Sequence, residues 1–481
     1  MFTAIVIVFC SLLMLSMIIL AGTYMVNNQK HRLDNKESVP ENILYELKYG
    51  ANFVSQNYNF NYLLPEFVGL RINSDKLVGS STSEDAIRFI CALISEPLSS
   101  AMGSSNICTH TSGYAAEVAW ENALKSDNIV YLRFMCEIPD YIIRAFFCGN
   151  YIDNVAVGDI GAARELLLIF DNEGGEEYSV RMMTKADSGD YYIYDSIAEG
   201  SQTKLFSLNM ISNQYRNTAF TEFEFAFDYD SSSPLRLSPS AVICSQDHTV
   251  KNVNLSKNNI SLNGKARDEL LRAFSFNPDN LNTYSENNNT DVFLESHGTL
   301  KASRESVVYR RTGEGGPTIL SFLDVGGYEN DNIYQMVNSI CVAANKLETM
   351  LGEGLFGDAQ LKISSIKYRD KVLSVDFALC YFGIPLADNG QIVPVIRFEL
   401  QDNEIVYAHI NSYNVKPSQT VSSHLPQTWY LDLLCEKLMD DDDSNYQTFH
   451  EGYMRLVYNV NDSNIEHAPI WSFIGNKSNI N

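Results

Sequence analysis

The stretch from Leu373 to Ile410 constrains the fold of this chain most strongly, because apolar and polar residues alternate along it. Asp388-Asn389-Gly390 and Asp402-Asn403 interrupt the alternation as turn sequences. A period of two is typical of antiparallel strands with one covered and one wet face. The pattern predicts a meander whose first strand has an apolar face formed by Leu373, Val375, Phe377, Leu379 and Tyr381, with Ser374 and Asp376 opposite.

A long amphipathic helix is predicted before this meander. Asn330 or Asp331 caps its start, Gly352 ends it, and its apolar stripe is Ile333, Met336, Val337, Ile340, Cys341, Ala344, Leu347 and Leu351. A closing helix, QTWYLDLLCEKLM, and a last strand, GYMRLVYNV, follow the meander. The C-terminal half is therefore expected to be an α+β unit with a helix packed on a β-meander.

The preceding part of the chain mixes helices and antiparallel strands. One helix begins at a Ser83 cap and ends at Pro97, and YAAEVAWENALKSD forms a second. The expected strands are NIVYLRFMCEI, RELLLIFD, EEYSVRMMT, DYYIYD and FTEFEFAFDYD. A Ser- and Pro-rich segment near 231–240 predicts a domain boundary, with a mixed α/β region at 42–240 and the C-terminal domain at 250–481.

The N-terminus predicts a membrane anchor. Ala4–Val26 carries no charge and is long enough to cross a hydrocarbon core of about 30 Å as a helix. The residues near Ala21 and Gly22 are a poor match to a signal-peptide cleavage site, so the segment at 1–28 is expected to stay uncleaved. Phe9 before Cys10 argues against lipoprotein processing. A polar tether at 29–41 follows.

Composition excludes some partners. With 59 acidic against 35 basic residues, the formal charge is −24, which repels phosphate backbones and argues against nucleic-acid binding. The anchor's flanking charges, Lys30 and Arg32, taken alone favour a cytoplasmic body. Eight of the nine cysteines lie outside the anchor, and buried free thiols are favoured for them over extracellular disulfides.

No catalytic, cofactor or metal site emerges from the motifs. The chain lacks HExxH, GxSxG, a P-loop and paired CxxC sequences. Cys108 with His110 is favoured as a loop over a metal site, and the acidic run at 440–443 as a solvated loop over a calcium site. The glycine-rich segment at 313–317, beside Arg310 and Arg311, is favoured as a turn over a phosphate site. The sequence therefore predicts a protein that is not an enzyme.

Several segments, in order, resemble the YycH and YycI regulatory proteins of Gram-positive bacteria, particularly their PepSY-like C-terminal units. They are LLRAFSFNP, VFLESHGTL with SVVYRR, NKLETMLGEGLFGDAQLKISSIKY, the Gly383-Ile384-Pro385 bend and GYMRLVY followed by APIW. The resemblance covers roughly Leu262 to Trp471, in addition to the anchor-first layout.

This resemblance implies one membrane helix and a body outside the cell. Such proteins associate with each other and with the sensor histidine kinase that governs cell-wall metabolism, partly through helix contacts in the bilayer. The resemblance conflicts with the basic flank of the anchor, although Asp34 and Glu37 dilute that charge. It implies a non-enzymatic, membrane-anchored regulator whose partners are the kinase and a YycH/YycI-like paralogue.

Small or weakly polar residues in the anchor are the candidates for contact with a partner helix: Ser11, Ser16, Gly22 and Thr23. Two alternatives to a regulator remain. A cell-wall hydrolase would use scattered Asp and Glu residues in a deep cleft. A ligand-binding sensor module would need a closed apolar pocket with few polar groups.

Overall fold

The structure is a computed structural model. It consists mostly of antiparallel strands, on which a few helices pack. It describes residues 62–73, 76–80, 83–102, 108–139, 142–143, 161–172, 178–198, 208, 221–226, 237–244, 248–257, 260, 264–286, 290–322, 333–351, 355–424, 431–432, 450–460 and 466–476. These residues belong to one compact unit, which spans Ala51–Asn481.

Several predictions concern residues outside the described ranges. They are the anchor with Ser11, Ser16, Gly22 and Thr23, the tether, the helix cap at Asn330 or Asp331, Gly352, the acidic run at 440–443 and most of the closing helix. Within the described residues, no helix is both long and apolar enough to cross a membrane. The division of the body near 231–240 stays a prediction.

The first large sheet has the order β3-β7-β6-β5-β4-β1-β2-β8-β9 in the described residues, and its neighbouring strands are antiparallel. The strands are β1 (Phe67–Arg71), β2 (Leu77–Ser80), β3 (Cys108–Ser112), β4 (Ile129–Pro139), β5 (Ala162–Asn172), β6 (Tyr178–Lys185), β7 (Asp190–Ala198), β8 (Thr221–Phe225) and β9 (Val242–Ile243).

The remaining strands are β10 (His248–Ser256), β11 (Asn282–Glu286), β12 (Thr290–Leu294), β13 (Gly298–Ala302), β14 (Ser306–Arg311), β15 (Gln360–Arg369), β16 (Val372–Tyr381), β17 (Ile384–Asp388), β18 (Gln391–Ile392), β19 (Pro394–Gln401), β20 (Glu404–Asn411), β21 (Asn414–His424), β22 (His450–Asn459), β23 (Glu466–His467) and β24 (Ile470–Asn476). The second large sheet runs β11-β12-β13-β14-β20-β19-β16-β17-β22-β24, with β15 on β16 and β18 on β17. A small sheet has the order β21-β10-β23.

Two helices cover opposite faces of the first sheet: α1 (Glu84–Ala101) and α2 (Tyr114–Leu124). One face of α1, formed by Ile87, Ile90, Cys91 and Ile94, is buried in the largest core cluster, which also contains Leu166 and Leu168 of β5. Trp120 of α2 packs in a separate cluster with Leu167 of β5, whose side chain points the other way. The sheet is thus covered on both faces here.

Pro97 does not end the first helix, contrary to the prediction. The helix α1 continues to Ala101, and the Ser83 hydroxyl caps its start by accepting the amide of Ala86 at 3.4 Å. Proline removes one backbone donor, but Leu98 and Ala101 are fully buried beyond it. Their burial stabilises the last turn and outweighs the missing hydrogen bond.

The predicted helix on a meander is confirmed in the C-terminal part. Helix α3 (Lys265–Ala273) precedes the β11–β14 strands, and α4 (Ile333–Leu351) packs against β16. The predicted apolar face of β16 is buried, as Leu373, Val375 and Phe377 are each at most 1% exposed.

The opposite face of β16 is not uniformly wet, which corrects the prediction of one covered and one open face. Asp376, Ala378 and Cys380 are buried as well. Arg397 of β19 binds both carboxylate oxygens of Asp376, at 2.5 and 2.8 Å. Ala378 and Cys380 pack against Met135 of β4, so another part of the chain covers this end of the strand.

The segment GYMRLVYNV forms β22 as predicted, but it is not the last strand. The chain returns as β24, in which Ile470 pairs with Val457 and Trp471 with Leu456. The segment after Pro469 is short, so its alternation of apolar and polar residues predicts a strand only weakly. Cross-strand pairing with β22 stabilises β24 instead.

Candidate functional site

The candidate site is a group of buried and half-buried polar residues, most of them arginines, where β4 and β5 meet β22. It contains Glu66, Arg133, Arg164, Tyr453 and Arg455, and is called the arginine cluster below. Arg133 lies in the middle of β4, and the Glu66 amide donates to its carbonyl oxygen at 2.8 Å, which fixes the carboxylate beside the strand. Tyr453 and Arg455 are two apart on β22 and therefore share a face.

The carboxylate of Glu66 binds two of the arginines. Arg133 Nε donates to Oε1 at 2.7 Å, and Arg455 Nη2 lies 2.5 Å from Oε2. The side chains of all three are at most 8% exposed. The cluster is therefore a buried ion network rather than a pair on the surface.

Tyr453 joins the third arginine to this network. Its hydroxyl oxygen accepts hydrogen bonds from Arg164 Nη2 and, at 2.9 Å, from Arg455 Nη2. The guanidinium carbon of Arg133 lies 4.5 Å from the centroid of the tyrosine ring. A cation over an aromatic face is attracted by the ring, so Tyr453 contacts all three arginines through its hydroxyl or its ring.

The arginines keep Glu66 ionised. Burial alone would raise the pKa of this carboxyl group, but Arg455, Arg133 and Arg164 outweigh it and hold the pKa below its usual value. A carboxylate in this state is a poor proton donor at neutral pH, which does not suit the general acid of a hydrolase. The cluster is therefore better suited to binding a charged group than to acid catalysis.

Each of the three arginines also keeps a buried N–H group without a hydrogen-bond partner: Nη1 of Arg133, Nε of Arg164 and Nε of Arg455. A cavity of about 50 Å³ adjoins the cluster. Its lining combines Glu66, Arg133 and Arg455 with the apolar residues Phe67, Phe223, Val242, Ile384 and Trp471. A cavity of this size holds a few non-hydrogen atoms.

A second, more open depression of about 310 Å³ lies at the start of α1. Its lining includes Glu84, Arg88, Asp358, Tyr381 and Phe382, with charges of both signs. Glu84 is already paired, to Arg88 at 3.3 Å and to the buried Lys362 at 3.1 Å. This depression suits polar surface contacts more than a small charged ligand.

Strand edges offer surfaces for a partner chain. In the described residues β11 pairs with β12 alone, and its sequence NTYSE is mostly exposed, with Tyr284 at 48%. Edge strands present unpaired backbone groups to which another strand can add. In the described part of the chain, β11 therefore leaves an edge to which a partner strand can add.

The residues considered for metal or thiol chemistry do not assemble into a site. Cys108 and His110 lie in strand β3 rather than in the predicted loop, because β3 pairs with β7. His110 Nε2 lies 3.1 Å from the Asp190 carboxylate. In the described residues no group of three metal-ligating side chains occurs. Four described cysteines are buried free thiols, as favoured from the sequence: Cys91, Cys136, Cys341 and Cys380. Cys244 is buried as well.

The glycine-rich segment at 313–317 is a turn, as predicted. Arg311 is held beside it, because its Nε donates to the Gly313 carbonyl at 3.0 Å and its Nη1 pairs with Glu404. Arg310 lies over the ring of Tyr407, 5.4 Å from its centroid.

The arginine cluster was missed in the sequence, although a signal was present. Arg133 and Arg455 each stand within an otherwise apolar strand, in VYLRFM and YMRLVY. A charged residue in a buried strand needs a partner, because desolvating an unpaired charge is costly. The identity of that partner, Glu66, depends on contacts between distant segments.

Comparison with known proteins places the fold. No family model matches the chain, and no curated protein matches its sequence. The crystal structure of YycH from Bacillus subtilis is similar, with a TM-score of 0.53 and 11% sequence identity, over 87% of this chain and 95% of that chain. The chain therefore has a YycH-like fold, mixed and sheet-rich. The YycI-like and PepSY-like features stay predictions.

Proposed function

We propose that the chain is a membrane-anchored, non-enzymatic regulator that binds and modulates a sensor histidine kinase of a two-component system. The observation that carries this proposal is the YycH-like fold, which covers most of both chains. The resemblance of the segments between Leu262 and Trp471 to YycH and YycI proteins supports it independently. A fold alone does not fix a function, so the proposal needs a direct test.

The proposed layout has an anchor at 1–28, a tether at 29–41 and a body outside the cell. In this arrangement the sheet edges and surface depressions of the body are free to contact envelope proteins. The proposed partners are the kinase, reached partly through the membrane helix, and a YycH/YycI-like paralogue. The body repels anionic lipid headgroups, since the chain carries a formal charge of −24.

Crosslinking in intact membranes tests the binding. The tagged chain should recover a sensor histidine kinase after crosslinking, solubilisation and affinity capture. The matched control carries the same anchor and tether on an unrelated body, which separates contacts of the body from those of the helix. Repeated recovery of neither a kinase nor a related paralogue with the intact chain would contradict the proposal.

The sidedness of the body is tested separately. A membrane-impermeant protease added to intact cells from which the wall has been removed should digest the body and spare a cytoplasmic marker. Protection of the body until lysis would place it in the cytoplasm, as Lys30 and Arg32 alone would favour, and would contradict an extracytoplasmic regulator.

The arginine cluster favours a second candidate, a ligand-binding sensor module, since Arg133 and Arg455 line a cavity whose other lining residues are mostly apolar. Such a role is compatible with regulation of a kinase. Recovery of a kinase in the crosslinking experiment does not depend on it.

A further inference from the structure

Three guanidinium groups meet in the arginine cluster, while Glu66 pairs with two of them. Glu165, the cross-strand partner of Arg133, is buried and accepts a hydrogen bond from the Tyr131 hydroxyl at 3.1 Å. The half-buried Glu137 and the exposed Asp187 act on Arg164. In the described residues Glu66 is the carboxylate that pairs directly with the cluster, and a buried guanidinium group without a paired anion is costly.

The unpaired N–H groups point to the same need. More than nine in ten buried polar groups in proteins have a partner, and an orphan group indicates an ion, a water or strain. Here Nη1 of Arg133 and Nε of Arg455 are both buried and unpartnered, and both side chains are more than nine-tenths buried. Both residues line the same cavity.

We propose that this cavity binds a small organic carboxylate. Its carboxylate group lies against Arg133 and Arg455, and its short hydrocarbon part contacts Phe67, Ile384 and Trp471. Guanidinium groups match the planar geometry of a carboxylate and bind it through two parallel hydrogen bonds. The ligand is a monocarboxylate of a few carbon atoms, since the cavity is about 50 Å³.

The lining selects this class over inorganic anions. Most of the residues that line the cavity are apolar, which favours a ligand with a hydrocarbon part over fully hydrated chloride or phosphate. Glu66 adds a negative charge to the lining, and this charge repels a dianion more strongly than a monoanion.

The cavity joins the two large sheets, so its occupancy should stabilise their contact. Arg133 belongs to β4 of the first sheet, whereas Ile384, Arg455 and Trp471 belong to β17, β22 and β24 of the second. A ligand that binds the folded state alone raises the unfolding temperature as its concentration increases. This inference does not depend on the proposed regulatory function.

The test uses the full chain in detergent with sodium acetate, propionate or butyrate as the probe, at constant ionic strength. The unfolding temperature should rise with the logarithm of the propionate or butyrate concentration, and isothermal calorimetry should show saturable binding. Sodium chloride and phosphate should have little effect. Equal shifts with all salts, or no saturable binding of any carboxylate, would overturn the proposal.

Two variants separate the cavity from general effects. Val242→Met adds volume within the cavity lining without removing an arginine, and should weaken propionate binding by more than about tenfold. Val307→Met makes the same change at a buried position on β14 outside the lining, and should leave binding unchanged. Unaltered binding in Val242→Met, with Val307→Met also unaltered, would place the ligand elsewhere and overturn the proposal.

Discussion

At the scale of single residues, the buried charges of the arginine cluster determine how strands from distant parts of the chain meet. Glu66, Arg133 and Arg455 come from three segments, and each is buried among apolar neighbours. Replacing such a network with apolar residues can leave stability unchanged, but removing one partner leaves the others buried and unpaired. The cluster therefore specifies one arrangement of the strands more than it adds net stability.

Glu66→Gln tests this dependence on charge. The change should lower the free energy of unfolding at neutral pH by about 3–5 kcal/mol, because two buried guanidinium groups lose their carboxylate. Glu286→Gln, at an exposed pair with Lys301, is the control and should cost less than about 1 kcal/mol. Urea titrations of both variants give the comparison, and equal losses would contradict the interpretation.

The effect of Glu66→Gln should also depend on pH. The folded-state pKa of Glu66 is lowered, so its stabilising contribution is present above the unfolded-state value of about 4.3 and is lost as pH falls through the folded-state pKa. The difference between wild type and variant should therefore shrink in acid. A difference that stays constant to the acid end of the titration would show that charge is not the cause.

Burial also determines the reactivity of the cysteine thiols. It raises the pKa of Cys136 and of Cys380 to about 12, and it raises the pKa values of Cys91 and Cys341 as well. Since the thiolate is the reactive form, these thiols should resist maleimide at neutral pH and react after unfolding in denaturant. Peptide mass spectrometry identifies each site. Rapid native labelling, or a disulfide at one of them, would contradict the buried free thiols.

At the scale of elements, the sequence predicted strands best where one apolar face determines their burial. The register of β16 and β19 follows from this alternation, and the helix before them from its stripe. The end of α1 did not follow from Pro97, because burial of Leu98 and Ala101 depends on packing against other segments. The arginine cluster escaped prediction for the same reason, since spacing along the chain does not show which strands meet.

One turn depends on a close approach that requires glycine. Gly357 has φ +68, and a Cβ there would lie 2.1 Å from the Val415 carbonyl oxygen, whereas Gly315, with φ +78, has open space. Both Gly→Ala changes force a left-handed alanine, at about 1–2 kcal/mol. Gly357→Ala should cost a further ~1–3 kcal/mol by displacing β21. Urea denaturation measures both, and equal losses would show that the turn relaxes freely.

At the scale of the whole molecule, two large sheets share buried contacts that connect residues far apart in sequence. Arg164 of β5 donates to the carbonyl of Met135 and to the Tyr453 hydroxyl, and Cys136 lies beside Ile363 of β15. A fold built on such contacts tolerates wide sequence change as long as the apolar periodicity of its strands and helices persists. This agrees with a fold shared with YycH at 11% sequence identity. Under the proposed function, partner choice would therefore reside in the surfaces of the body and in the expected anchor rather than in the shared fold.

The expected anchor at 1–28 is the segment through which the proposed regulator would influence a partner in the bilayer. Ser16 and Thr23 are seven apart and share one face of the expected helix. A hydroxyl hydrogen bond between membrane helices is worth roughly 1 kcal/mol, enough to shift a balanced equilibrium several-fold. Replacing both residues by Leu should keep insertion and expression but weaken kinase-dependent transcription in a reporter strain. Exchanging the whole helix for an unrelated apolar one should weaken transcription more.

The control Ile18→Leu with Ile19→Leu removes no hydroxyl and should regulate normally. Normal regulation by the exchanged helix, or by the body released from its anchor, would show that the signal does not pass through the membrane helix.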